Sequence, residues 1–136
     1  MDVTAMHPDE SVVEIERRFD ELVVRVRAAL ASTRALHEVR MFGGIGFMLN
    51  GNMVAAASRR GLLLRVGKDR QDEVLARSGA RPMEMRGRKM EGYVYVDPPA
   101  LTDGDIEAWL RPALAFVETL PPKASGEKTP RTKGKR

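Results

Sequence analysis

The stretch from Ile45 to Val66 constrains the fold more than any other part of the chain. It reads IGFML, then Asn50-Gly51-Asn52, MVAAA, SRRG and LLLRV. An Asn-Gly pair between two apolar runs marks a tight hairpin, because both central turn residues need positive φ and these two tolerate it. SRRG makes the next turn. The segment therefore predicts a three-stranded antiparallel meander, and the near-continuous apolar run of its third strand points to burial on both faces or a central position.

Helical periodicity surrounds this meander. A first helix is expected from near Asp9, with Ser11 and Glu14 spaced as a capping box and an inward face of Val12, Ile15, Phe19, Leu22, Val23, Val26 and Leu30. Its mixed charges form a solvated face, and His37 falls in the linker that follows. After the meander, residues 68–80 read as a short helix with Asp69 as N-cap, Val74 and Leu75 inward, and Gly79 at the C′ position. PMEM and EGYVYVD then form a hairpin around Arg86-Gly-Arg88-Lys89, with Tyr93 and Tyr95 on one face and Val94 and Val96 on the other. Pro98 and Pro99 end that strand.

A last helix follows Thr102, carrying Ile106, Trp109, Leu110, Ala113, Leu114, Val117 and Leu120 at helical spacing. Pro112 is expected on its solvent side, bending rather than ending it. The element order is α-β-β-β-α-β-β-α, a two-layer α+β fold in which helices pack on an antiparallel sheet.

Charge divides the chain. Of 23 Lys and Arg and 19 Asp and Glu, six bases and one acid lie after residue 120, which leaves 17 bases and 18 acids before it. Residues 9–120 thus form a nearly neutral domain. Residues 121–136 read as a disordered basic tail, with three prolines and no large apolar side chain to offset the entropy of ordering. Its bases, Lys123, Lys128, Arg131, Lys133, Lys135 and Arg136, are candidates for nucleic-acid contact by counterion release. Cysteine is absent, no apolar run is long enough to span a bilayer, and the N-terminus is acidic where a signal peptide is basic. A soluble cytoplasmic protein is expected.

No chemistry-bearing motif emerges. The glycines of Met41-Phe42-Gly43-Gly44-Ile45-Gly46 precede a strand rather than a helix and lack the lysine of a phosphate-binding loop. They read instead as backbone devices where the first helix hands over to the sheet: Gly43 and Gly44 for positive φ or close approach, Gly46 for packing. Two isolated histidines, no nucleophile with its base and no carboxylate pair leave no catalytic, cofactor or metal residue to nominate. The methionines either fill a core or line an adaptable surface, the former being their commoner role. Arg86, Arg88 and Lys89 at the hairpin tip, with Tyr93 and Tyr95 beside it, are the candidate partner contacts.

Three stretches, MFGGIGFMLNGNMVA, RPMEMRGRKMEGYVYVDP and WLRPALAFVETLPPK, resemble the N-terminal domain of the TfoX/Sxy family, typified by regulators of bacterial natural competence. The resemblance covers about residues 10–123. It is specific in Met41-Phe42-Gly43-Gly44, in Asn50-Gly51-Asn52, in the strand from Gly92 to Asp97 and in Leu120-Pro-Pro-Lys123. It implies a two-layer α+β fold of the secretion-chaperone-like type and no catalytic residues. Full-length members also carry a C-terminal domain and act with the cyclic-AMP receptor protein at competence promoters. Here a basic tail occupies that place, so the resemblance implies a general regulatory or interaction role.

The expectation is a non-enzymatic bacterial co-regulator of transcription without cofactor, working by contact with a protein of the transcription machinery or a regulator. The tail would aid nucleic-acid binding. Two other readings stay open: a chaperone-like module that dimerises and binds an extended peptide, and a small-ligand binder or enzyme whose residues converge only in three dimensions.

Overall fold

The structure, a computed structural model, describes residues 2–41, 43–103 and 105–123. It is an α+β fold built on one six-stranded antiparallel sheet. Helix α1 (Asp2–Ala29) leads into strands β1 (Leu36–Met41), β2 (Gly44–Leu49), β3 (Asn52–Ser58) and β4 (Gly61–Arg65). Helix α2 (Lys68–Leu75) then crosses to the hairpin β5 (Ala80–Met85) and β6 (Arg88–Val96), and helices α3 (Pro98–Asp103) and α4 (Ile106–Val117) follow. The strand order is β1-β2-β3-β4-β6-β5.

The expected meander is β2–β3–β4. Asn50 and Gly51 take φ of 52° and 83°, as a tight hairpin requires. A register shift in this hairpin pairs Phe47 with Ala55 but Met48 with Met53, leaving Val54 as an extra residue, and Val54 and Ala55 are both fully buried. β4 sits centrally between β3 and β6, with Leu62 and Leu64 fully buried.

The core forms on one side of the sheet. Phe47, Val54, Ala57, Leu62, Leu64, Val94 and Val96 meet Leu22, Val26 and Leu30 of α1, Val74 of α2, Leu101 of α3 and Trp109, Leu110, Ala113 and Val117 of α4. The helices are joined there: Arg25 of α1 donates to the Leu101 carbonyl at 2.6 Å, and Arg77 after α2 reaches α4. All four contribute to this layer. The opposite sheet face carries no helix among the described residues.

Several expectations are corrected. Strand β1 lies where the sequence reads as a linker, so the glycine segment joins two strands rather than a helix to a sheet. As an edge strand exposed along most of its length, β1 needs no apolar alternation, and pairing with β2 from Leu36↔Leu49 to Met41↔Gly44 holds it. Helix α1 starts at Asp2 and runs through Ser11, so Ser11 is no N-cap, and Val12 is 58 % exposed because α1 outruns the core. Helix α2 starts after Gly67, placing Asp69 in its first turn, and ends at the Ala76 cap. Gly79, at φ 95°, belongs to the entry into β5. An additional short helix, α3, uses Pro98 and Pro99 as its first residues, where a missing N–H costs nothing.

Pro112 is buried rather than solvent-facing. Helix α4 is covered on more than one side, packing against β3 and β4 and against α1. Asp105 caps it, its carboxylate accepting from the Glu107 N–H at 3.0 Å.

Candidate functional site

Side-chain alternation sets what the uncovered face presents. Cross-strand partners point the same way, so Val39, Gly46, Ala56, Leu63 and Tyr95 lie in one row across the sheet, opposite to the core residues Leu62, Leu64, Val94 and Val96. Tyr93 and Tyr95 are half-buried on this face, as their spacing predicts.

The β5–β6 hairpin turns this face into a groove. Between the pairs Pro82↔Val94 and Glu84↔Lys89, β6 spends four residues where β5 spends only Met83. So large an excess bends the ribbon. Gly92, at φ 86°, anchors the bend: its carbonyl accepts from the N–H groups of Val66 at 2.8 Å and Gly67 at 3.0 Å, and its own N–H donates to Gln71 Oε1 at 3.0 Å. Met83, Met85, Arg86 and Met90 thereby line one concavity of about 770 Å³ with Met41 of β1, Met53 of β3 and Tyr93 and Tyr95 of β6.

Its floor is low because small residues occupy it. A Cβ placed on Gly46 would stand 2.9 Å from the Met41 sulfur, so the glycine is what lets Met41 lie across β2 toward the groove. Gly44 has a different reason: a Cβ there would fall on the Ala57 carbonyl oxygen of the neighbouring strand. Ala56 and Leu63 complete the floor. Among the residues whose side chains are described no methionine belongs to the buried core; Met41, Met48, Met53, Met83 and Met90 are half-buried and Met85 is 46 % exposed. They lie at the surface rather than in the core, the commoner place for this residue.

Charge gathers at the rim. Arg59, in the β3–β4 turn, donates to Glu16 at 2.5 and 2.9 Å and to the Gly43 carbonyl at 2.6 Å, and stacks 4.4 Å from the Phe19 ring centre. Its hydrogen bonds hold the Glu16 carboxyl below the usual carboxylate range, and Glu16 raises Arg59 in turn. This cluster ties α1 to both turns. Arg60 and Arg86 also line the groove and, among the described residues, carry no ion pair; Glu84 is the one acid lining it. Arg81 binds Asp97 at 2.7 Å and lies 5.2 Å from the Tyr95 ring centre, fixing that floor residue.

Of the residues singled out from sequence, Arg86, Tyr93 and Tyr95 come together in the groove. Arg86, at φ 57°, and Gly87 form the turn. Arg88 and Lys89 begin β6 and are exposed away from the groove lining. Lys123 lies elsewhere, its N–H donating to the Asn50 carbonyl at 2.7 Å, while Asn52 Nδ2 donates to the Pro121 carbonyl at 3.0 Å. Phe42 and the bases Lys128, Arg131, Lys133, Lys135 and Arg136 lie outside the described residues. Among the described residues no cluster of three or more His, Asp or Glu is placed to hold a metal, and no helix is long and apolar enough to cross a membrane.

The model of the TfoX N-terminal domain family matches residues 28–117. No curated protein and no solved structure matches the chain.

Proposed function

Since the chain belongs to the TfoX N-terminal domain family, we propose that it works without catalysis, by protein contact, as a co-regulator of transcription of the TfoX/Sxy type. The observation that carries the reading is the uncovered sheet face, where a methionine- and tyrosine-lined groove spans strands β1 to β5. Antiparallel sheets can leave one face to water, but that face is then normally polar. An apolar, concave face with mobile thioether side chains is suited to a protein segment, because methionine repacks around partners of differing shape. The basic tail adds sequence-independent attraction to nucleic acid, holding the partner complex near DNA.

The test is a pull-down from bacterial lysate with the full chain and with Met53→Glu, which puts a charge on the groove floor and leaves the core untouched. The reading expects RNA polymerase or a transcription factor with the unaltered chain and its loss with the variant. Recovery of neither, or equal recovery by both, overturns it.

A further inference from the structure

The groove and the valines Val12 and Val13 of α1 each leave apolar surface uncovered. At 1.5 Å per residue α1 is about 42 Å long, and of its side chains described from Val12 onward the first packed against the core is Phe19. Upstream of it, Val12 and Val13 are 58 % and 65 % exposed. Valines left exposed on a helix add little to it, since helices in proteins draw most of their stability from a buried apolar face.

Charge indicates where this segment goes. Residues 1–16 contain five carboxylates (Asp2, Asp9, Glu10, Glu14 and Glu16) and no lysine or arginine, with Glu14 paired to Arg17 and Glu16 to Arg59 within the chain. The groove is apolar inside and is also lined by Glu84 and by Arg60 and Arg86, which carry no ion pair among the described residues. An acidic helix with exposed valines complements an apolar cleft with a cationic rim. Its own groove is out of reach. Arg59 holds Glu16 at the groove's rim, and a straight helix tethered there cannot turn back.

We infer that the groove receives the N-terminal half of α1 from a second copy of the chain, in a reciprocal two-fold dimer. Each protomer lends its acidic helix and receives the other's, so one pair of complementary patches closes the assembly. The inference rests on the reading of the groove as a protein-contact surface and names what fills it until the transcription partner displaces it.

Light scattering on the full chain during size-exclusion chromatography tests it. The expected mass is twice the 15.1 kDa of one chain. Val12→Glu with Val13→Glu changes only exposed side chains and is expected to weaken the dimer at least tenfold, as are Met53→Glu and the pair Arg60→Glu and Arg86→Glu. Mixing the valine variant with Met53→Glu restores one of the two reciprocal contacts and is expected to give a heterodimer tighter than either variant alone. A monomer across the concentration range, or a dimer indifferent to the valine changes, overturns the inference. If Met53→Glu nonetheless abolishes partner capture, the open-face reading stands without it. If Met53→Glu alters neither dimer nor capture, both fall.

Discussion

Arg77 supplies the hydrogen bond that Pro112 cannot: its guanidinium donates to the Ala108 carbonyl, four residues before the proline, at 2.9 Å, while stacking 5.2 Å from the Trp109 ring centre. A proline inside a helix leaves the carbonyl at i−4 without its N–H donor. Arg77→Ala is expected to destabilise the fold by about 1–2 kcal/mol through the lost charged hydrogen bond and ring contact. In a Pro112→Ala background the cost should shrink, because the backbone then provides the donor. Urea titrations of the two single variants and the double variant measure the coupling.

The two glycines of β2 predict contrasting outcomes. A methyl at Gly44 meets backbone, the Ala57 carbonyl, which cannot move without parting β2 from β3. Gly44→Ala is expected to cost about 2–3 kcal/mol. At Gly46 the methyl meets the flexible end of Met41, so Gly46→Ala should cost under about 1 kcal/mol while shifting Met41 in the groove. Thermal melts compare the costs, and the Met41 methyl resonance reports the shift.

Acid should loosen α1 from the sheet. Hydrogen bonds from Arg59 to Glu16 and from Arg27 to Glu38 hold both carboxyls below the usual range. The unfolded chain then takes up these protons at higher pH than the folded one. The stability they contribute is complete above the ordinary carboxylate range and is lost as pH falls through the folded values. A Glu16→Gln, Glu38→Gln variant should show a flatter decline in urea midpoint between about pH 6 and pH 3 than the unaltered chain.

The tail prediction separates electrostatics from the groove. Binding of the full chain to duplex DNA should weaken steeply with salt, and a truncation ending at Lys123 should lose that slope. The loss is bounded at about 4.5 in the log–log plot if all five removed bases meet phosphates. Fluorescence anisotropy across a salt series checks it, and equal weak binding by both chains refutes a role for the tail.

What the sequence disclosed follows from where period and packing coincide. Asn50-Gly51 and the alternation Tyr93-Val94-Tyr95-Val96 declare themselves because each position answers to one local demand, a positive φ or one face of a strand. Strand β1 does not, since an exposed edge imposes no apolar pattern on His37, Glu38 or Arg40. Pro112 misleads because a helix packed on more than one side has no clear outer face. The groove depends on the excess of residues 90–93 over Met83, a mismatch between two strands that neither strand records alone. The signal available was the concentration of methionine in the sheet: alternation puts Met41 and Met83 opposite the core, while the extra residue at Val54 and the excess at residues 90–93 bring Met53 and Met90 to the same face.

On the function proposed above, the uncovered sheet face is where this protein meets its partner. Full-length chain labelled at its methionine methyl groups and added to unlabelled bacterial lysate reads that face directly by NMR. The Met41, Met53, Met83 and Met90 methyls are expected to shift or broaden, and Leu63→Glu to abolish the change. Groove methyls that stay unmoved while signals from the tail respond would contradict it.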